Sequence, residues 1–263
     1  NMRGFPAKEV LFMMTLGAQL FTLREYTQTE KDLDFSLAQV KEMGYETVQL
    51  SAIGPIAPQR VRELCDKHGL QIVLTHTSPD RILNDTEAVI AEHDLMGCEY
   101  IGIGMMPKKY ASPHWLSHFA GDYREAAKKI AAAGKLLMYH NHNVEFQKFG
   151  GKLVMETLME SFAPDELGFT LDTYWVQMGG GDVCGWMEKL SGRIPCIHLK
   201  DMAVKGWEPV MAPVMEGNLD FDKILATAKS CGVKHLLVEQ DDCQGESPFA
   251  CLATSFRNLQ GKY

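Results

Sequence analysis

Several familiar signatures are missing from this chain of 263 residues. The apolar run near its start, VLFMM, falls far short of the roughly 20 residues a bilayer-spanning helix needs, and no small-residue cleavage site follows it. The seven cysteines (Cys65, Cys98, Cys184, Cys196, Cys231, Cys243 and Cys251) are odd in number, and no two have C-x-x-C spacing. A zinc knuckle or a dithiol redox motif would require that spacing, so reduced, packed thiols are expected. Positive charge is short, with 26 Lys and Arg against 34 Asp and Glu and a formal charge of −8. That balance argues against a surface that lives on nucleic acid or acidic lipid. No G-x-G-x-x-G follows the first apolar run, because TLGAQLF leads directly into TLREYTQ. A doubly wound dinucleotide-binding sheet is thereby disfavoured. These absences leave a soluble, cytoplasmic globular protein, with residues 1–13 a loosely placed leader and residues 14–263 one domain.

What is present is a beat. Short apolar runs recur at 15–21, 46–51, 71–76, 99–104, 135–142, 167–172, 194–200 and 235–240. Polar segments of helical period lie between them, among them 31–44, 58–69 and 221–232. In the first of these Leu33, Leu37, Val40 and Met43 fall on one stripe, as an amphipathic helix requires. Each of the three ends in Gly, the usual residue just past a helix C-terminus, and Pro58 suits a first helical turn. Eight strand–helix units without a linker predict a single closed (β/α)8 barrel, with 247–259 as a C-terminal closing helix. The long stretch MMPKKYASPHWLSHF (105–119) is expected to cover the barrel mouth.

In such a barrel, chemistry sits where the strands end. There the apolar pattern breaks. The third run ends in Thr75-His76, the fifth in His140-Asn141-His142 with Glu145 beyond, and the sixth in Asp172. The seventh ends in His198-Leu199-Lys200-Asp201 and the eighth in Glu239-Gln240-Asp241. A lone histidine here is more often hydrogen-bonded core than ligand, and a lone Asp is usually a helix cap. Four neighbouring strands aiming Glu, Asp, His and Glu at one volume are different. Converging carboxylates repel, and in low dielectric at least one would stay protonated unless a cation intervened. A divalent ion resolves the conflict, and carboxylate oxygens with one imidazole suit Mn²⁺ best, with Mg²⁺, Co²⁺ or Zn²⁺ as alternatives.

The motifs YHNHNVEF, LDTYWVQMGGGD, IHLKD and VEQDD, with LGAQLFTLRE near the start, resemble the sugar phosphate isomerase/epimerase superfamily of xylose isomerase-like TIM barrels. The resemblance implies a metal held by Asp172, His198 and Glu239, with Glu145 as the fourth ligand and His140 as its alternative. It also puts simple ketose epimerisation in doubt, because no Arg follows the metal histidine as it does in the ketose epimerases. A bound metal would polarise a carbonyl and stabilise the enediolate formed when the adjacent C–H loses its proton. Glu145 and Glu239 are the expected proton-transfer pair, and Lys200 the cation facing developing oxygen charge. His76, His140 and His142 are expected to meet substrate, as are Tyr174 and Trp175, which otherwise anchor the barrel rim.

The reading is therefore a metal-dependent isomerase or epimerase of a small sugar or cyclitol. Its alternative is a lyase or dehydratase of a keto-sugar, keto-glycoside or inosose, in which the same enediolate expels a β-substituent. A repair endonuclease would need a basic groove, and a non-catalytic sugar-binding barrel would have no use for a proton-transfer pair. The glycines of MGGGD (178–182) offer a phosphate cradle, though a flexible turn capped by Asp182 is the plainer account. The expected partner is a small carbohydrate, with neither nucleic acid nor membrane. Trp115 and Trp207, in long loops, are candidate contacts for a homodimer.

Overall fold

Every apolar run becomes a parallel strand. The computed structural model describes residues 13–114 and 116–263. Its barrel strands are β1 (Thr15–Gln19), β2 (Thr47–Leu50), β3 (Gln71–His76), β4 (Tyr100–Ile103), β5 (Leu136–His140), β6 (Leu167–Asp172), β7 (Cys196–Leu199) and β8 (His235–Val238). Each strand pairs with its predecessor, and β8 returns to β1 with Ala18 opposite Val238, so the sheet closes. Strands of four to six residues that are buried on both faces read as continuous apolar runs, which is why the pattern was visible in the sequence.

The helices follow the expected stripes. Glu30–Met43 buries Leu33, Leu37 and Val40 and starts where the Thr29 hydroxyl accepts from the Asp32 N–H. It ends at Gly44, whose φ of +111° suits glycine, and a side chain there would also collide with the Phe256 ring. Phe256 belongs to the closing helix, Pro248–Leu259. The Tyr45 hydroxyl, 2.9 Å from the Leu252 carbonyl, ties that helix to the first βα unit. The barrel is thus locked where its ends meet.

Among the elements not foreseen is a hairpin. Asp201–Lys205 and Glu208–Ala212 pair as an antiparallel hairpin rising from the end of β7. The buried Asp201 carboxylate anchors its base by accepting from the backbone N–H groups of Met202, Met215, Gly217 and Leu219. Trp207, at the tip, is 98% exposed. The leader expected at 1–13 lies outside the described residues except for Met13, as does Trp115. Among the described residues no helix is long and apolar enough to cross a membrane.

Candidate metal centre and substrate cavity

The C-terminal ends of β5 to β8 deliver the polar groups to one buried point. His140, Asp172, His198 and Glu239 each offer a ligand atom, all within 4.8 Å of one another. The strand pairing sets this up, since Asp172 lies opposite His198 in the β6–β7 register. Asp172 Oδ2 is 3.3 Å from His140 Nε2 and 3.5 Å from His198 Nδ1. Glu239 Oε2 is 3.1 Å from the same His198 nitrogen.

Neighbours fix how these donors face. His140 Nδ1 donates to the Gly104 carbonyl at 2.8 Å, which turns Nε2 toward Asp172. His198 Nε2 donates to Gln49 Oε1 at 2.7 Å, which leaves Nδ1 facing the acids. Gln19 Nε2 donates to Glu239 Oε1 at 2.5 Å, and the Asp172 N–H donates to Asn141 Oδ1 at 3.0 Å. Partners of this kind hold metal-binding side chains in place.

Lys200 completes the cluster. It is 1% exposed, and its Nζ lies 2.7 Å from Glu239 Oε2 and 3.1 Å from both Asp172 Oδ2 and Asp241 Oδ2. Burial opposes ionisation throughout, but mutual attraction outweighs it. Lys200 holds Asp172 and Glu239 well below the usual carboxylate range, and those acids with Asp241 keep the ammonium charged. His198 is desolvated, yet Glu239 and Asp172 push it up to about 9. Asp241 goes the other way: burial and the Glu239 charge raise it to about 6. For His142, burial and the neighbouring His140 push the imidazole down to about 3. His76 is driven well below its ordinary value by burial, His140 and His198, so both rings are neutral at pH 7.

The donors fit a divalent cation. His198 Nδ1 and Glu239 Oε2 are buried 3.1 Å apart, and Lys200 Nζ lies 2.7 Å from the same carboxylate oxygen. Two imidazole nitrogens and two carboxylate oxygens converging this closely can share one cation. Above these atoms a cavity of about 590 Å³ opens, lined deep down by His76, His140, His142, Lys200, Glu239 and Asp241. Here buried atoms lack partners, namely His76 Nε2 and His142 Nδ1.

A family model for the xylose isomerase-like TIM barrel matches residues 37–248. The chain belongs to that family. Among solved structures it is similar to a Parabacteroides distasonis protein named sugar phosphate isomerase/epimerase, with 24% identity over 93% of this chain and 97% of that one and a TM-score of 0.79. An L-ribulose 3-epimerase shares 15% identity over 94% and 93% of the two chains, TM-score 0.71. A probable 3-DHS dehydratase from Bacillus anthracis shares 15% over 95% and 100%, TM-score 0.71. At these identities the likeness shows the fold. No curated protein matches.

Within this xylose isomerase-like barrel, the strand-five expectation needs correcting. Glu145 was expected as metal ligand and proton carrier, but it lies outside the cluster, and His140, its alternative, stands there instead. The Glu145 carboxylate is buried and occupied: Tyr139 Oη donates to Oε1 at 2.5 Å and the His142 N–H donates to Oε2 at 2.7 Å. Burial raises its pKa. It braces the turn carrying His142 and does not reach the cavity.

Asp241 is the third converging acid, close to Lys200 where Glu145 had been expected near the metal. Trp175 reaches the site, with its ring 5.1 Å from that of His142 and 5.5 Å from Lys200 Nζ, whereas Tyr174 is buried against Trp175 at 5.0 Å. The glycines of 178–182 serve packing, since a Cβ on Gly179 or Gly181 would press on Phe146, and that loop does not line the cavity. Gln19 and Gln49, buried at the ends of β1 and β2, were missed as supports. Their signal was a polar side chain inside an otherwise apolar run.

Proposed function

We propose that this barrel is a divalent-metal-dependent isomerase or epimerase that removes a proton next to the carbonyl of a small sugar or cyclitol. The observation that carries the reading is the convergence of His140, Asp172, His198 and Glu239, whose ligand atoms lie within 4.8 Å of one another beside a cavity that His140 and Glu239 line. His140, Asp172, His198 and Glu239 would hold the ion. Two imidazoles and two carboxylates favour Mn²⁺, Co²⁺ or Zn²⁺ over Mg²⁺. When bound, the ion supplies Lewis-acid polarisation of the carbonyl.

The chain's own groups do the rest. Glu239, held ionised by Lys200 and His198 against the cost of its burial, takes the proton. Asp241, raised to about 6, passes between its two forms near neutrality and returns one. Lys200 faces negative charge developing on oxygen, and neutral His76 and His142 bind hydroxyls. The acidic balance of the chain, −8, supports a small-molecule substrate over nucleic acid.

A second reading, a lyase or dehydratase, is favoured by one specific feature. The expected second glutamate is sequestered, and the cavity instead presents Asp241, raised to about 6 by burial and the Glu239 charge, which can protonate a departing oxygen. The test is solvent-deuterium exchange into ketoses, 3-keto-glycosides and inososes with added Mn²⁺. Incorporation beside the carbonyl with an isomeric product supports the first reading, and loss of a substituent supports the second. No exchange from any of them would sink both.

A further inference from the structure

The cavity has two unlike ends. Its buried strand-end groups are polar, as described, but its lining also takes in the apolar side chains of Phe21, Pro79, Met105, Met106 and Pro107, beside Ser78, Asp80 and Lys108. These side chains are held in place. Arg24 stacks over the Phe21 ring at 4.5 Å and is itself tied to the Phe21 and Asp241 carbonyls at 3.0 and 3.1 Å. Met106 is buried, while Met105 remains 58% exposed at the mouth. An exposed thioether on a cavity that a phenylalanine also lines is an adaptable apolar surface, and a polyol gains little from covering it. A volume of about 590 Å³ also lies well inside the range of roughly 300–1,000 Å³ that encloses ligands larger than one sugar ring.

Charge points the same way. The charged groups lining the cavity are Asp80, Lys108, Lys200, Glu239 and Asp241. Lys200 is committed to three carboxylates. Lys108 alone is left to meet an anion, and Asp80 lines the same cavity. A phosphate dianion is held best by an arginine fork or several cations, and the lining has no arginine and one lysine not already paired with the buried acids.

We infer that the substrate is an uncharged polyol carrying an apolar substituent, with the sugar or cyclitol ring on the polar floor and the substituent against Phe21 and Met105. This deepens, and rests on, the carbohydrate reading of the site. It sets the barrel apart from enzymes that recognise their substrates by a phosphate.

The test is calorimetric titration of the full chain in Mn²⁺ with matched methyl and phenyl glucosides and galactosides, and with glucose 6-phosphate. The phenyl member of a pair is expected to bind roughly tenfold tighter than the methyl member, from partial burial of its ring. Met105→Asn, at an exposed position, should abolish that difference, and Phe21→Ala should narrow it. Equal affinity for methyl and phenyl pairs, or tighter binding of glucose 6-phosphate, overturns the inference but spares the carbohydrate reading. Failure of every sugar to bind overturns both.

Discussion

His198 Nδ1 lies 3.1 Å from Glu239 Oε2, and neither atom makes a hydrogen bond. A cation shared by the two would satisfy both. The full chain should therefore retain Mn²⁺ through dialysis and melt at a higher temperature with it, and Glu239→Gln should lose both effects. At a free concentration about 100 times the dissociation constant, the stabilisation should be about 2.7 kcal/mol. Metal analysis beside a thermal melt is the check, and a melt indifferent to divalent ions would refute the centre.

The same pair sets the pH dependence of uptake. Without metal, His198 is pushed up to about 9 by Glu239 and Asp172 despite its burial, so at pH 7 it carries a proton that a metal must displace. Affinity should therefore rise with pH through about 9 and level off above it. Calorimetry at pH 7 in buffers of different ionisation enthalpy should show a proton released on binding.

Removing Lys200 should expose how strongly the acids repel. Its ammonium sits among Asp172, Glu239 and Asp241, and Lys200→Met leaves those buried charges uncompensated. A loss of about 3–5 kcal/mol is expected in metal-free protein. Added Mn²⁺ should recover part of it in denaturant melts while deuterium exchange stays abolished. A variant as stable as the parent would show that the ammonium is not the counter-charge.

Glu145 offers the opposite test. Glu145→Ala frees the Tyr139 hydroxyl and the His142 N–H, each costing about 1–3 kcal/mol if left unpaired, so stability should fall. Mn²⁺ affinity should be unchanged, because the carboxylate is not among the four clustered groups. A variant that folds but no longer binds metal would return Glu145 to the coordination sphere.

A histidine outside the cluster contributes to the loss of stability in acid. His235, at the start of β8, faces Thr15 Oγ1 at 2.8 Å and is pushed down to about 4 by burial and then Lys234. Above its ordinary value of 6.5 both folded and unfolded forms are neutral, and the residue exerts no pH effect. As pH falls below 6.5 the unfolded chain takes a proton that the folded chain refuses until about 4, so stability drops across that window. Urea midpoints at pH 7 and pH 5 should differ less in His235→Gln than in the parent.

Much of this was legible beforehand because the barrel repeats one rule. All eight strands fall within the apolar runs, and the helix Glu30–Met43 buries Leu33, Leu37 and Val40 as its stripe demanded. Asp172, His198, Lys200 and Glu239 could be read because charge at the end of a buried strand is expensive and so conspicuous. Glu145 misled because spacing along the chain does not say which way a turn carries its side chains. Directly after His142 the backbone curls into a 3-10 turn (Asn143–Phe146), and the Glu145 carboxylate three residues on folds back onto the His142 N–H. The hairpin at 201–212 hid for a related reason: MAVKGWEPVMA alternates weakly, and Asp201 read as part of the polar cluster rather than as an anchor for four backbone groups.

That anchor bears on how such a barrel diversifies. Asp201 adjoins Lys200 in sequence, yet the four backbone N–H groups donating to its carboxylate fasten the base of the hairpin and leave the Trp207 end in open solvent. Residues at that far end can change over generations while the lysine next to the anchor keeps its position, so new recognition can be tried there without disturbing the reaction centre.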